Sequence, residues 1–329
     1  MSLLTLPTEL LCLLPNYLDN IESFTNAASS CRTLRSAFLA THPSTILHLA
    51  AASAPTFFSP HPYFLVAATA KSVSDWAIGN PDRTTLLRKA FYGGIYALYD
   101  FCLQHGGLTL DRIRQTHLAR FTTINPLSDK IDKMAGKQWL ETPNFWTGGV
   151  SEAVTLYTDA DRAAFQIIIY GELFGTSMDA FLDPVRKELP VSRFDVATRL
   201  DYLTYSYEDQ RVLRHILKCG RWRRMWAGAI RGFLDEEFTD ETAVDEDWRK
   251  KMLRDALMMQ GLEGMQLVTC KREDVSEGYL EKIRRIRGQI WALEEPPAVQ
   301  MLGKKGNLRV SEAPDPAGEL NVCFWQAWS

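Results

Sequence analysis

The sequence predicts an all-α protein with an irregular arrangement of helices. Apolar residues return every three or four positions over most of the chain, which is the period of an amphipathic helix. Glycine, proline and asparagine interrupt this pattern, as at Gly79-Asn80-Pro81, where one helix is expected to end and the next to begin. No internal repeat of about 20 to 50 residues appears, so a solenoid or propeller is not expected.

The composition is that of a globular protein. Of 329 residues, 46% are hydrophobic and 23% are charged, which distinguishes the chain from a disordered protein. The formal net charge is -3, so no overall basic field would attract nucleic acid or an anionic membrane surface. The length is sufficient for a small module followed by one large domain.

The cysteines and the apolar runs predict a location in the cytoplasm, the nucleus or both. The cysteines are Cys12, Cys31, Cys102, Cys219, Cys270 and Cys323. They form no C-x-x-C pair, and most lie in apolar helical patterns, so we expect reduced, buried thiols rather than disulfides or a zinc site. No run of about 18 apolar residues is present, and Pro7, Glu9 and Pro15 interrupt the N-terminal leucines, so neither a membrane span nor a signal peptide is expected.

The first segment, residues 6–38, predicts three short helices. Pro7 suits a first helical position because it lacks the N–H that would have no partner there. Glu9 lies in the first turn, where the helix dipole favours a negative charge. A leucine stripe then follows at helical spacing, formed by Leu10, Leu11, Leu14 and Leu18. Pro15 interrupts this stripe, so we expect the helix to break near Leu14.

Two further helices are expected before residue 39. Asp19 or Asn20 would cap the second helix, which runs through Phe24, and Ser30 would cap the third, which carries Leu34. A unit of about 40 residues usually needs a partner, a metal or disulfides, because it buries too little surface by itself. We therefore expect its remaining apolar face to contact another protein.

This segment resembles an F-box. It has the Leu6-Pro7 entry, an acidic residue two positions later, the leucine stripe and a closing Cys31-Arg32 pair. The resemblance implies that residues 1–41 form a three-helix F-box that docks on a Skp-type adaptor and, through it, on a cullin-based ubiquitin ligase. The residues expected at this contact are Leu6, Pro7, Leu10, Leu11, Leu14, Leu18, Phe24 and Leu34. Without the resemblance, the same pattern describes an amphipathic N-terminus packed on its own chain.

Residues 42–302 predict a multi-helix body, which under this resemblance would recognise a substrate. Helices are expected from Ser44, over Tyr63 to Trp76, on both sides of Gly93-Gly94, from Thr109, from Ser128 or Asp129, over Asp159 to Leu182, on both sides of Cys219-Gly220, over Asp245 to Met259 and over Ser276 to Leu293. The segment Pro55 to Pro62 predicts a linker or turn, and Phe145-Trp146 lies in a predicted loop.

Residues 303–329 predict a flexible tail with an apolar end. Positions 303 to 319 are rich in glycine, lysine, proline and acidic residues, which is typical of a flexible segment. The last residues are apolar again and include Val322, Phe324, Trp325 and Trp328. We therefore expect the end of the tail to dock on the body.

No residue pattern predicts catalysis, a cofactor or a metal. The six histidines lack the spacing of a metal site, and no nucleophile motif, P-loop or dinucleotide fingerprint is present. One alternative is an enzyme whose pocket is lined by Trp139, Trp146, Trp222 or Trp226.

A basic cluster gives a second candidate binding surface. It consists of Arg221, Arg223 and Arg224, interleaved with two of these tryptophans, a pattern that can bind single-stranded nucleic acid or acidic peptides. A solvated helix face, with arginine stems covering the rings, is the commoner explanation. The acidic run from Asp235 to Asp247 could also neutralise the cluster from within the chain.

Two functional hypotheses follow. In the first, the chain is a non-catalytic F-box subunit that joins a Skp-type adaptor and its cullin to an unidentified protein substrate. In the second, it is a non-catalytic scaffold whose F-box-like helices pack on its own body. Removal of residues 1–40 discriminates between them, because only the second predicts that the remainder is destabilised.

Overall fold

The computed structural model describes residues 6–140, 160–183, 193–208, 210–234, 247–297, 299–302 and 308–326. Within these residues the fold is all-α, as the sequence predicts, with one two-stranded antiparallel hairpin. The first helices are α1 (Thr8–Leu11), a 3-10 turn (Leu14–Tyr17), α2 (Ile21–Ser30), α3 (Arg32–Phe38), α4 (Pro43–Ala52), α5 (Ala54–Phe57), α6 (Tyr63–Ala77), α7 (Pro81–Tyr92), α8 (Gly94–His105) and α9 (Leu110–Ala119).

The described part of the second half of the chain is also mainly helical. Its helices are α10 (Asn125–Leu140), α11 (Ala160–Leu182), α12 (Val196–Asp201), α13 (Gln210–Lys218), α14 (Gly220–Leu234), α15 (Trp248–Met258), α16 (Gly261–Gln266), α17 (Glu277–Trp291) and α18 (Pro316–Gln326). Strands β1 (Val299–Leu302) and β2 (Leu308–Ser311) form the hairpin, in which Val299 pairs with Ser311. Two π-helical turns, Arg120–Ile124 and Tyr202–Ser206, follow α9 and α12.

Helix α11 is the centre of the described body. It is buried on nearly all sides from Ala163 to Leu182, because α6, α10, α15 and α16 all pack against it. A helix that is apolar around its whole circumference is stable only in such an interior position. The hydroxyl of Ser74 on α6 donates to the carbonyl oxygen of Leu173 over 2.5 Å, so the buried polar group is paired.

Two glycines let α11 approach the turn between α15 and α16. A Cβ atom at Gly175 would lie 2.3 Å from the carbonyl oxygen of Met259, and one at Gly171 would lie 2.8 Å from the Cα atom of Gly261. Neither distance leaves room for a side chain, and backbone cannot move aside as a flexible side chain can. The central packing therefore requires glycine at both positions.

The N-terminal helices follow the expected order, with one difference at a cap. Helix α1 ends at Leu11 and a 3-10 turn begins at Leu14, so the expected break next to Pro15 is confirmed. Asn20 is the cap of α2, since its Oδ1 accepts from the backbone N–H of Ser23 over 2.8 Å. The expected cap at Ser30 is wrong. Cys31 has the extended backbone of a cap, and its Sγ accepts from the N–H of Leu34 over 3.5 Å.

The structure also tests two predictions made for the body. The bend at Gly93-Gly94 is confirmed, because α7 ends at Tyr92 and Gly94 begins α8 with a φ of 77°. The proline-rich segment 55–62 was expected to be a linker or turn, but its first residues belong to α5, with Pro55 in the first turn, where a missing N–H costs nothing.

The described part of the C-terminal segment differs from the flexible tail expected over 303–329. Residues 308–326 form β2 and α18, and the side chains of Val310, Leu320 and Cys323 are buried. The apolar end packs on the body, as Val322 was expected to do. The polar residues that suggested flexibility include Glu319, which is buried in an ion pair, so its charge is not a sign of solvation. The side chain of Trp325 and residue Trp328 lie outside the described residues.

Candidate functional site

The N-terminal module, residues 6–41, is held together by an inner apolar layer. The rings of Phe24 and Phe38 lie 4.9 Å apart, and Leu11 and Leu34 are buried beside them. Leu11, Phe24 and Leu34 were expected at a partner contact, but their exposed fractions are 1%, 0% and 6%. They belong to the interior of the module because three short helices need a shared core before they can present any surface.

The other expected contact residues are accessible. Leu6, Pro7 and Leu10 are exposed, and Leu14 and Leu18 are half-buried. Sequence reasoning missed three further exposed apolar side chains of the module, which are Leu13, Tyr17 and Leu39. We call Leu6, Leu10, Leu13, Tyr17 and Leu39 the exposed apolar set.

The missed residues have a physical explanation. The 3-10 turn interrupts the helical stripe after Leu11, so spacing along one continuous helix does not assign Leu13 or Tyr17 to a face. Pro15 was the sequence signal for this change from an α-helix to a 3-10 turn. Tyr17 is 81% exposed and Leu39 is 77% exposed, which is unusual for large apolar side chains that begin or end short helices.

A groove lies between the 3-10 turn and α4. Its volume is about 390 Å³, and its lining residues are Pro15, Asn16, Leu18, Asp19, Ser44, Thr45, His48 and Leu49. The hydroxyl of Thr45 donates to Oδ1 of Asn16 over 3.2 Å, which ties the turn to α4. The groove has a mixed apolar and polar lining.

The module is joined to the body through α4. Helix α2 and the 3-10 turn pack on α4, whose Leu47 and Ala50 are fully buried. Helix α4 is also bonded to the body, because the N–H of Leu108, just after α8, donates to the carbonyl oxygen of Pro43 over 3.1 Å. The module and the body therefore share one continuous apolar core.

The candidate aromatic pocket is not formed by Trp222 and Trp226. Both indole rings are 0% exposed, and their centroids are 6.3 Å apart inside the core. Arg223 and Arg224 lie on the exposed side of the same helix, α14. This is the arrangement of a solvated helix face. The side chain of Trp139, residue Trp146 and the acidic run from 235 to 246 lie outside the described residues.

A small polar cleft in the body was not anticipated. Its volume is about 120 Å³, and it contains Glu172, a buried acidic residue of α11. The guanidinium of Arg112 is 2.8 Å from Glu172, whose Oε1 also accepts from the N–H of Leu262 over 3.1 Å. Lys282 and Glu263 form a second pair at 3.5 Å. These paired charges connect α9, α11 and α16, so we assign the cleft a structural role.

Burial favours the neutral forms of His117 and Cys102. Desolvation, with a contribution from the charge of Arg120, lowers the pKa of His117, whose ring packs against Phe58 and Phe64 at 5.3 and 5.0 Å. Burial raises the pKa of the Cys102 thiol to about 12. Among the described residues, no cluster of three histidine, cysteine or acidic side chains is arranged to hold a metal ion, and no helix is both long and apolar enough to cross a membrane.

Comparison with protein-family models, with curated proteins and with solved structures returned no match in any of the three. The module is therefore interpreted from its own residues. It presents exposed leucines and a tyrosine on short helices that share a buried layer beneath them.

Proposed function

We propose that the chain is a non-catalytic F-box-type adaptor, in which the N-terminal module binds a Skp-type protein and the body binds a protein target. The observation that carries the proposal is the division of the leucines in the module. Leu11 and Leu34 form its interior, while Leu10 and Leu13 are each 48% exposed beside the F-box-like entry motif. Fixed helices with apolar side chains left outside are what a docking module requires.

The proposed contact differs from the set expected from sequence. Leu6, Pro7 and Leu10 remain in it, with Leu14 and Leu18 contributing their accessible edges. Leu13, Tyr17 and Leu39 join it because they are exposed on the same module. Leu11, Phe24 and Leu34 support the surface from below and do not contact the partner.

The proposed mechanism is proximity. Full burial of one leucine contributes about 1.5–3 kcal/mol, so a few exposed leucines can hold an adaptor without any catalytic group. The body would then place its target near a ubiquitin-transfer machinery that belongs to other subunits, since positioning alone raises the effective concentration of reacting groups.

The proposal is tested by direct titration of a purified Skp-type adaptor into the full chain. We expect a one-to-one complex, with Leu10→Ala and Leu13→Ala each weakening it by roughly tenfold or more. Leu118→Ala is the matched control, because Leu118 is a 68% exposed leucine on the body. A folded chain that shows no complex with the adaptor at high micromolar concentration rejects the proposal.

A second candidate is an interaction scaffold in which the F-box-like helices serve only their own chain. The shared core through α4, with the Leu108 to Pro43 hydrogen bond, favours it. Deletion of residues 1–40 provides the test, with urea unfolding of the remainder as the measurement. A large loss of stability supports the scaffold, and an unchanged remainder supports a separable docking module.

A further inference from the structure

Three exposed tyrosines lie on α7, α8 and the second π-helical turn, three elements that pack on one another. Tyr92, Tyr96 and Tyr205 have exposed fractions of 51%, 59% and 51%. The rings of Tyr92 and Tyr205 meet edge to face at 4.9 Å. The ring of Tyr96 contacts His61 at 6.1 Å, and His61 in turn packs against Tyr99 at 4.9 Å. We call Tyr92, Tyr96 and Tyr205 the tyrosine surface.

The backbone beneath these rings holds them outward. Gly94 turns the chain between α7 and α8, and a Cβ atom there would lie 3.6 Å from the carbonyl oxygen of Tyr205, so the two segments are in contact. In the same turn, Tyr202 is fully buried, and the hydroxyl of Ser206 donates to the carbonyl oxygen of Phe91 over 3.0 Å. Anchoring on both sides of Tyr205 fixes the direction of its ring, which lowers the entropy lost when a partner binds.

Charges of both signs lie around the tyrosine surface, and Lys89 is exposed one helical turn before Tyr92. The hydroxyl of Tyr92 donates to Asp201 over 3.1 Å, and Arg88 is already paired with the same carboxylate at 2.6 Å. Asp100 is exposed one helical turn after Tyr96, on the same face of α8.

A second carboxylate, that of Glu208, is linked to Tyr96 through Tyr63. Glu208 is exposed and accepts a hydrogen bond from the hydroxyl of Tyr63, which lies close enough to Tyr96 for the two hydroxyls to interact electrostatically. The guanidinium of Arg162 lies 5.8 Å above the ring of Tyr63, so this neighbourhood already accommodates one arginine on a tyrosine.

The exposed rings themselves carry no such partner. Among the described residues, no arginine or lysine lies over Tyr92, Tyr96 or Tyr205. The face of an aromatic ring attracts a cation, and tyrosine is common at the centres of protein interfaces. Open ring faces beside carboxylates are therefore complementary to arginine side chains.

We propose that the tyrosine surface binds an arginine-containing, basic segment of a protein partner, with guanidinium groups over the rings and against Asp100 and Glu208. The location agrees with a target-binding role because the tyrosine surface is separated from the N-terminal module. Helix α8 contacts the π-helical turn at its first residues, and it contacts α4, which carries the module, near its last. The twelve residues of α8 span about 18 Å. Only the interpretation of this partner as a ubiquitination target depends on the proposed function, and the binding itself does not.

The experiment is fluorescence anisotropy of a labelled peptide, (Arg-Gly-Ser)4, titrated with the full chain at 50 mM salt. We expect saturable binding, weaker binding of (Lys-Gly-Ser)4 and none of (Glu-Gly-Ser)4. Tyr96→Ala and Tyr205→Ala should each weaken binding roughly two- to fivefold, as for loss of one exposed cation–π contact. Tyr96→Phe should bind like the parent, because it keeps the ring face.

The matched control is Phe121→Ala, which removes a 71% exposed aromatic ring outside the tyrosine surface and should leave peptide affinity unchanged. Asp100→Asn should weaken binding at 50 mM salt and lose much of that effect at about 300 mM, since salt screens exposed charges. Equal affinity for the glutamate peptide, or equal losses in Phe121→Ala and Tyr96→Ala, overturns the proposal.

One further outcome identifies another occupant of the surface, and a further titration separates the two proposals. If the parent chain dimerises and Tyr96→Ala is monomeric, a second copy covers the surface and the proposal is rejected. Adaptor titration of the same variants separates the two proposals. Peptide binding without adaptor binding rejects only the proposed F-box function, and adaptor binding without peptide binding rejects only the tyrosine surface.

Discussion

The guanidinium of Arg199 donates through Nε to Oε1 of Glu319 over 2.7 Å, and both side chains are almost completely buried. The hydroxyl of Tyr170 donates to the other carboxylate oxygen. The remaining nitrogens of Arg199 donate to the carbonyl oxygens of Phe194, Ser311 and Glu312 over 3.2 to 3.3 Å. One arginine of α12 thus fixes the C-terminal segment, from the end of β2 to α18.

This ion pair is expected to be costly to break. Arg199→Ala leaves Glu319 charged and buried without its partner, so the free energy of unfolding should fall by about 3–5 kcal/mol. Urea unfolding followed by circular dichroism measures the change. Lys71→Ala is the control, since Lys71 pairs with Asp75 at 3.4 Å on the surface and should matter by less than about 1 kcal/mol. Similar losses in both variants would contradict this account of the tail.

Asp315 should make the stability of the protein depend on pH. Burial disfavours its charge, but the ammonium of Lys251 at 2.5 Å and the N–H of Gly318 outweigh burial and lower the pKa of Asp315. A carboxyl with a lowered pKa in the folded state stabilises fully above its unfolded pKa, which is about 3.9, and loses this contribution as pH falls through the folded value.

The measurement compares the parent chain with Asp315→Asn from pH 7 to pH 3. We expect the parent to be more stable at pH 7 and its advantage to shrink below about pH 4. Asp255 also pairs with Lys251, and burial and the charge of Asp315 raise the pKa of Asp255, so the difference between the two proteins reports on the coupled pair. An advantage that stays constant down to pH 3 would argue against the assigned pKa direction.

Adjacent leucines of the module should behave differently. Leu11→Ala removes a side chain that is 1% exposed and should reduce the free energy of unfolding by about 2–5 kcal/mol. Leu10→Ala, at 48% exposure, should change stability by less than about 0.5 kcal/mol while weakening the proposed adaptor complex. Thermal unfolding and calorimetric titration give the two readouts. The assignment of inner and outer leucines fails if both variants lose stability equally.

The glycine contacts of α11 give a test of the central packing. Gly175→Ala places a Cβ atom 2.3 Å from the carbonyl oxygen of Met259 and should destabilise the fold by about 1–3 kcal/mol through forced separation of the two segments. Gly228→Ala is the matched control, because Gly228 lies within α14 with open space around it and should stabilise by about 0.5–1 kcal/mol. In urea unfolding, we expect the free energy of unfolding to fall for Gly175→Ala and to rise for Gly228→Ala.

The sequence determined the helical character and many helix ends, because these depend on near neighbours. Asn80 and Thr109 each accept a backbone N–H three residues later, as their positions before apolar stripes predict. The break beside Pro15 and the bend at Gly93-Gly94 also follow from local backbone chemistry. The resemblance of residues 6–38 to an F-box also rests on one short stretch of sequence, and it stays a prediction.

Only the tertiary structure decided which residues face outward and which charges lie inside. Leu10 and Leu11 have the same side chain and neighbouring positions, yet α3 covers one and leaves the other exposed. The described part of the polar tail, residues 308–326, packs on the body because Arg199, 120 positions before Glu319, supplies a counter-charge. The tyrosine surface likewise joins residues from α7, α8 and a distant π-helical turn. Burial and pairing depend on elements far apart in sequence, and local spacing carries no information about those contacts.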